Sequence, residues 1–451
     1  MACKLLLQNR DPFDVVRALS SKGAKGLLFF DSGRAQPAVS GASALWSIIC
    51  CEPERIYRDA PGALARFRAQ QIFAPQDDAP AHARDDADLP FYGGIAGMLG
   101  FEFAWALDDI RAEAAARLTP DCWVGEYSSA LVYSHRDACW WLSGDAQSDA
   151  AHQLRAALYA AGKREMPDAC ARVLSGDFHL TISADEYARR VQAVIDAIFA
   201  GEAFEVNYTE RFRASWGLGG WELYERLRAT SSGAYCAYLD AGDFQLASVS
   251  PEQFMSVKDG QVCTRPIKGT RARGQTPAED ARLADELRHS PKDRAENIMI
   301  VDLMRNDLTR VCRSGSVSAL EVCGLYSFSG VHHLVSTVVG ELEDGVSPVD
   351  ALVACFPPGS ITGAPKLRAI ELIAEFEEDA RGPYTGTLFY ASACGDRLDS
   401  SVLIRTAVLC DGQLAYGAGG AVVADSNPRE EFAEACVKAA PIAAILGAKL
   451  P

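Results

Sequence analysis

The stretch SSVLIRTAVLCDGQLAYGAG, Ser400–Gly419, decides the fold class. Its first half is a run of Val, Leu, Ile and Ala with Arg405 among them. Asp411-Gly412 then supplies the pair that a tight hairpin turn demands, since both central residues must take positive φ. Apolar residues resume at once, so two hairpin-joined strands are expected. A long helix follows from about Arg429 to Leu446. Upstream, Ser183 and Glu186 have capping-box spacing. Tyr187, Val191, Val194, Ile195 and Ile198 recur at helical intervals, and Gly201 can end that helix. Phe204–Thr209 alternates strictly and reads as a half-buried strand. Ser290-Pro291 opens another helix, with Ser as cap and Pro at the first position. These elements mix without regular strand–helix–strand alternation, which predicts an α+β fold.

The chain has 451 residues, too many for one ordinary core, so two domains or one large composite domain are expected. A boundary near residue 180 divides an N-terminal region, 1–180, from a core, 181–451. Pro75–Pro90 and the region around Ser143–Asp177 read as loose surface segments. With 49% hydrophobic and 23% charged residues the balance is that of a globular protein. No apolar run approaches the roughly 20 residues of a membrane span, and the start, MACKLLLQNRDPFD, lacks the pattern of a secretory signal. The formal charge of −16 argues against nucleic acid or an anionic membrane as partner. The 14 cysteines form no C-x-x-C pair, which fits reduced thiols in a cytoplasmic protein.

Several residues suggest chemistry, each with a plainer alternative. Asp293 and Glu296 lie i, i+3 on one expected helix. Glu431, Glu434 and Lys438 lie i, i+3, i+7 on another. Carboxylates projecting from two helices into one cleft can hold Mg²⁺, although a solvated helix face has the same spacing. Arg405, in its apolar run, needs an anionic partner, which is either internal or a bound carboxylate. Gly417-Ala418-Gly419-Gly420 offers bare backbone N–H groups for an anion, or simply a turn. Lys268, between Ile267 and Gly269, becomes a nucleophilic amine if desolvation lowers its pKa; a surface lysine is the alternative. His333 leads an apolar strand and can equally be a satisfied core histidine.

Many collinear segments resemble the chorismate-utilising enzymes: the large subunits of anthranilate and aminodeoxychorismate synthases, and the isochorismate and salicylate synthases. They are SPEQF (Ser250–Phe254), RPIKGTRARG (Arg265–Gly274), AENIMIVDLMRNDL (Ala295–Leu308), HLVSTVVG (His333–Gly340), FPPGSITGAPK (Phe356–Lys366), RGPYTG (Arg381–Gly386), IRTAV (Ile404–Val408) and YGAGGAVVADSNPREEFAEACVKA (Tyr416–Ala439). The resemblance implies two antiparallel β-sheets packed as a sandwich with helices outside. It implies Mg²⁺ on Glu296 and Glu434, with Glu431 and Asp293 close by, the metal in turn binding the ring carboxylate of chorismate. It implies that Arg405 and Tyr384, with backbone around Gly417 and Gly419, hold the enolpyruvyl carboxylate. Glu252 is then the acid that expels the C4 hydroxyl. It further implies that His333, Thr362, Thr270 and Lys438 belong to the substrate site.

Lys268 selects the branch. In anthranilate synthases the motif usually reads P-I-A-G-T; here it is Pro266-Ile267-Lys268-Gly269-Thr270. The resemblance implies that the Lys268 amine attacks C2 as the C4 hydroxyl leaves, and that ammonia then attacks C4 and expels the lysine, giving 4-amino-4-deoxychorismate on the way to 4-aminobenzoate and folate. A separate glutamine amidotransferase subunit is implied as the ammonia source. Glu205 departs from the pattern, since that position is commonly Gln in ammonia-using relatives and Lys in isochorismate and salicylate synthases. Two other readings stand: an anthranilate synthase large subunit, against which Lys268 speaks, or a non-catalytic ligand- or partner-binding homologue, against which Glu252, Lys268, Glu296 and Glu434 speak. Related enzymes carry a tryptophan pocket near the segment matching Leu27–Gly33.

Overall fold

A computed structural model describes residues 2–5, 10–32, 45–68, 88–108, 110, 117–162, 178–230, 233–328 and 330–450. Two large sheets, of 12 and 10 strands, are built wholly from antiparallel pairs. The expected α+β class and sheet pair are what is found.

The sheets face each other across an apolar layer. Leu28, Ile48, Leu239, Leu246 and Val408 of the larger sheet meet Met98, Trp123, Leu388 and Tyr390 of the smaller, all buried. Helices cover the outer faces. Val16, Leu154, Leu227 and Ile442 close the larger sheet, while Val191, Ile300, Leu352 and Ile370 belong to the core on the other side. Burying both faces of each sheet explains why so many strands read as unbroken apolar runs.

Strands from both sides of residue 180 pair in both sheets. Leu27–Asp31 pairs with Tyr235–Asp240, and Gly94–Leu99 pairs with Thr387–Ser392. Pro75–Ala87 and Gly162's successors to Asp177 lie outside the described residues, but the segment before them is not loose: Asp149–Ala160 is a helix capped by Ser148. The Asp411-Gly412 turn joins Thr406–Cys410 to Gln413–Val422, with φ of 49° and 74°. Ser183 accepts from the Glu186 N–H and starts the helix Ala184–Phe199, and Ser290 does the same for Pro291–Thr309.

Three local readings need correction. The strand Glu205–Ser215 is buried on both faces over most of its length, not half-buried. Its polar face (Glu205, Asn207, Thr209, Arg211) meets charged partners inside the protein rather than water. Gly417–Gly420 is not a turn, since it lies within the strand Gln413–Val422. Arg405 is not in a strand. Arg397–Val402 belongs to the smaller sheet and Thr406–Cys410 to the larger, so Leu403–Arg405 is the corner where the chain changes sheets. A corner needs a backbone bend, and Arg405 supplies it at φ 50°. Holding a non-glycine residue there costs about 1–3 kcal/mol.

Candidate active site

A second corner lies beside the first. Phe244–Ser250 is in the larger sheet and Gln253–Lys258 in the smaller, so Pro251 and Glu252 bridge them. The corners are tied together: the Val402 N–H donates to the Glu252 carbonyl at 3.1 Å, and the Val249 N–H to the Arg405 carbonyl at 3.1 Å. Two chain crossings therefore set Glu252 and Arg405 at one edge of the sandwich. Arg405 and His333 line a cavity of about 170 Å³ with Pro251 and Phe328. His333 is buried, and its Nδ1 lies 2.9 Å from the Thr270 hydroxyl. Burial, with Arg405 adding repulsion, pushes its pKa down to about 4, so the ring is neutral at pH 7.

Lys268 is the hub. In the strand Ile267–Ala272 the register slips by one between Lys268 and Thr270, and Gly269 takes φ 84° at that bulge. Bulges re-aim side chains at active sites. The Lys268 ammonium donates to Glu205 Oε1 at 3.1 Å, with Glu205 wholly buried. Burial pulls the lysine pKa down, but Glu205, Glu296 and Glu252 outweigh it and hold it above its ordinary value. The expectation of a depressed pKa is thus corrected: desolvation is present, yet surrounding carboxylates win.

Glu252 is 4% exposed. Burial pushes its carboxyl up to about 7, against opposing pulls from a Ser360 hydrogen bond and the Lys268 charge. A carboxyl poised there can deliver a proton near neutral pH. The folded value lies above the ordinary 4.5, so the native state holds this proton more tightly than the unfolded chain. Its contribution to stability is complete below about 4.5 and is lost as pH rises through about 7. Glu252→Gln should therefore match the wild type near pH 5 and exceed it in thermal stability at pH 8, by about 1–3 kcal/mol. Melting curves at the two pH values check this; equal shifts at both would contradict it.

The helices Pro291–Thr309 and Pro428–Leu446 bring their carboxylates toward the same hub. Burial and the nearby Glu205 raise Glu296, while Lys268 opposes them. Burial also pushes Glu434 up, but Lys438, Lys268 and Lys292 outweigh it and hold it below its ordinary value. Glu431 is raised by burial and by Glu434; its Oε1 accepts from Ser426 at 2.8 Å, and its buried Oε2 has no partner among the described residues. A Cβ on Gly420 would lie 2.9 Å from Glu431 Oε2 and 3.3 Å from Glu434 Oε1, so only glycine leaves this space open. Asp293 is occupied by Arg271 at 3.0 Å. Among the described residues no three His, Cys, Asp or Glu side chains gather as a closed metal cage. Mg²⁺ needs no such cage, since it binds through one or two carboxylates plus water and substrate oxygens. The carboxylates present fit it.

Other expected residues stand elsewhere or serve as supports. Tyr384 does not line the Arg405 cavity. It borders two small ones of about 20 Å³ each and packs on Gly417. A Cβ on Gly417 would fall 2.3 Å from the Tyr384 ring. Gly417→Ala should therefore displace that ring and, if Tyr384 contacts substrate, raise KM for chorismate by about tenfold or more; an unchanged KM would remove Tyr384 from the site. The Gly419 carbonyl accepts from Lys438 at 2.7 Å, and Lys438 also pairs with Glu434 at 2.7 Å. The Thr362 hydroxyl is fully buried and donates to the Gly359 carbonyl at 3.2 Å, so it braces its own loop.

The sequence reading missed Lys366, which braces that loop. Its ammonium is tied to Asp307 and donates to the Cys355 and Pro357 carbonyls at 2.8 and 2.9 Å. It likewise missed Arg381, which joins Asn207, Ile361 and Glu377. The segment Leu27–Asp31 borders a further cavity of about 40 Å³ between the sheets, lined in part by Trp46 and Tyr390.

Comparison with known proteins agrees with this geometry. The sequence matches the chorismate binding enzyme family over residues 28–444. The chain belongs to that family. Among its relatives, component 1 of aminodeoxychorismate synthase from Salmonella typhimurium is 38% identical over 356 residues, 79% of this chain and 77% of that protein. Component 1 of anthranilate synthase from Bacillus caldotenax is 35% identical over 374 residues, 78% of this chain and 73% of that protein. The crystal structure of anthranilate synthase component I from Streptococcus pneumoniae superposes with a TM-score of 0.77 at 29% identity, covering 89% of this chain and 92% of that one. As a chorismate-binding enzyme the chain has no helix long and apolar enough to cross a membrane among its described residues.

Proposed function

We propose that this chain converts chorismate and ammonia to 4-amino-4-deoxychorismate, with ammonia supplied by a glutamine amidotransferase subunit and with Mg²⁺ bound. The observation that carries the reading is the Lys268 amine, 3.1 Å from Glu205 and set among Glu252, Glu296 and Glu434. Relatives 38% identical over 77–79% of this chain are named for this activity.

Glu296 and Glu434, with Glu431 beside them, would hold the Mg²⁺, which supplies positive charge against the ring carboxylate of chorismate. Arg405 offers the second cation, for the enolpyruvyl carboxylate, beside a neutral His333 fixed by Thr270. The family resemblance adds Tyr384 and the backbone at Gly417 and Gly419 to that end, although Tyr384 borders the neighbouring small cavities and not the Arg405 one. An ammonium cannot attack, so the Lys268 proton passes to Glu205 along their hydrogen bond. The freed amine adds at C2, both ring double bonds shift one place, and the C4–O bond breaks. Glu252, whose carboxyl burial pushes up to about 7, gives the leaving hydroxyl its proton. Ammonia then adds at C4 and the C2–Nζ bond breaks. Exclusion of water from this buried cage favours ammonia over hydrolysis.

A product assay tests the reading. The purified chain, incubated with chorismate, Mg²⁺ and ammonium, should yield 4-aminobenzoate only after an aminodeoxychorismate lyase is added. Anthranilate in its place would move the chain to the ortho-aminating branch.

A further inference from the structure

Arg381 is buried and uses all five of its guanidinium N–H donors inside the protein. Nε donates to Glu377 Oε2 at 2.8 Å, and Nη2 donates to Glu377 Oε1 at 2.6 Å and to the Asn207 carbonyl. Nη1 donates to the Ile361 carbonyl at 3.1 Å and to the Thr385 hydroxyl at 3.2 Å. The Phe101 ring lies 4.5 Å from the guanidinium carbon, and the buried Glu102 carboxylate accepts the Arg381 and Gly382 N–H groups at 2.6 and 2.8 Å. Glu377 alone would balance the charge. The other bonds tie together segments that are remote in sequence.

The bond to Ile361 reaches the chemistry. Ile361 ends the short turn Gly359–Ile361. The Asn207 side chain shares the Ile361 carbonyl at 2.9 Å, and the Asn207 N–H donates to the Thr362 carbonyl at 2.8 Å. At the other end Lys366 donates to the Pro357 carbonyl at 2.9 Å. The turn also packs so closely on Leu303 that a Cβ at Gly359 would fall 2.6 Å from it. At the centre of this clamped turn is Ser360, itself buried, whose hydroxyl bonds the Glu252 carboxyl. The Ile267 N–H, next to Lys268, bonds the same carboxyl. These two donors take acceptor positions on Glu252 and leave its own proton for the substrate.

We propose that Arg381 is a positioning residue for the acid: through Ile361 it holds the Ser360 hydroxyl on Glu252. This rests on the reading above, in which Glu252 protonates the leaving C4 hydroxyl. Among the described residues the charged groups facing Arg381 are Glu377 and Glu102, with the Tyr384 phenol beside them, whereas Lys268 faces Glu252. The coupling therefore runs through the turn and not through the Arg381 charge. A lysine would keep that charge against Glu377 but lacks the planar fork that reaches Glu377 and Ile361 at once.

The test is the pH dependence of kcat relative to wild type, with chorismate, Mg²⁺ and ammonium saturating. Taking the ratio cancels the titration of ammonia itself. The Ser360 bond favours the charged form of Glu252, so losing it raises that pKa and moves the alkaline limb of the profile up by about half a pH unit or more. Ser360→Ala should lower kcat near pH 6.5, and its ratio to wild type should climb about threefold by pH 8.5. Arg381→Lys should show the same climb, and the double variant no more than either single one. A loss of merely structural origin gives a ratio that is flat with pH. A flat ratio in Arg381→Lys beside a climbing one in Ser360→Ala would overturn the proposal. So would a flat ratio in Ser360→Ala, or two shifts that add in the double variant. Should Arg381→Lys fail to fold, Asn207→Ala decides, since it removes a neutral donor from the same Ile361 carbonyl; a flat ratio there overturns the proposal as well. Failure of the underlying reading looks different: Glu252→Gln would itself keep wild-type turnover.

Discussion

Replacing Lys268 is expected to abolish amination while leaving chorismate bound. Lys268→Ala should reduce turnover by about 10³-fold or more, equivalent to about 4 kcal/mol of barrier. The reason is chemical, since among the described residues Lys268 is the amine that bonds Glu205, and without it ammonia must displace a poor leaving group directly. Alanine also leaves Glu205 buried without its partner, and breaking such a pair by removing one member costs about 3–5 kcal/mol. Loss of activity in that variant alone would thus mix chemistry with stability. Lys268→Arg separates them, because arginine keeps the cation but is no nucleophile. It should fold, bind chorismate and remain inactive. Steady-state rates with ammonium and a chorismate binding titration check both variants; wild-type turnover in either would remove Lys268 from the chemistry.

The second large effect concerns the metal. Glu434→Ala should raise the Mg²⁺ concentration for half-maximal activity by about a hundredfold or more, or abolish activity outright. Glu434 is half exposed, so its removal should leave the melting temperature nearly unchanged. Glu434 also restrains Lys438, whose other bond, to the Gly419 carbonyl, survives the change. A Mg²⁺ titration of activity, followed by a melting curve, distinguishes ligand from scaffold. A variant with the wild-type Mg²⁺ curve would show that Glu434 does not hold the ion.

Much of the architecture was legible along the chain because it is written locally. Asp411-Gly412 forces its hairpin, and Ser183 and Ser290 cap the helices they precede. The motifs around Lys268, Glu296 and Glu434 name residues that the fold does bring to one hub. What was not legible is everything that depends on where the chain changes sheets. Arg405 sits in an apolar run that looks like uninterrupted strand, and only pairing partners in different sheets reveal the corner. The glycines at Gly417–Gly420 resemble a turn, because their real cause, the Tyr384 ring and two facing carboxylates, is remote in sequence. Electrostatic signs were equally hidden. Burial alone would lower the Lys268 pKa, but three carboxylates from three distant segments raise it. The same distance hid the Glu205–Lys268 pair, whose members are 63 residues apart.

The central claim, that Lys268 forms a bond to the substrate, has a direct test. The chain is mixed with chorismate and Mg²⁺ without ammonia, quenched in acid, digested and weighed by mass spectrometry. The peptide containing Lys268 should carry chorismate less one water, and added ammonium should discharge it as the 4-amino product appears. Ammonium-dependent amination by a chain whose Lys268 peptide stays unmodified throughout would contradict the account.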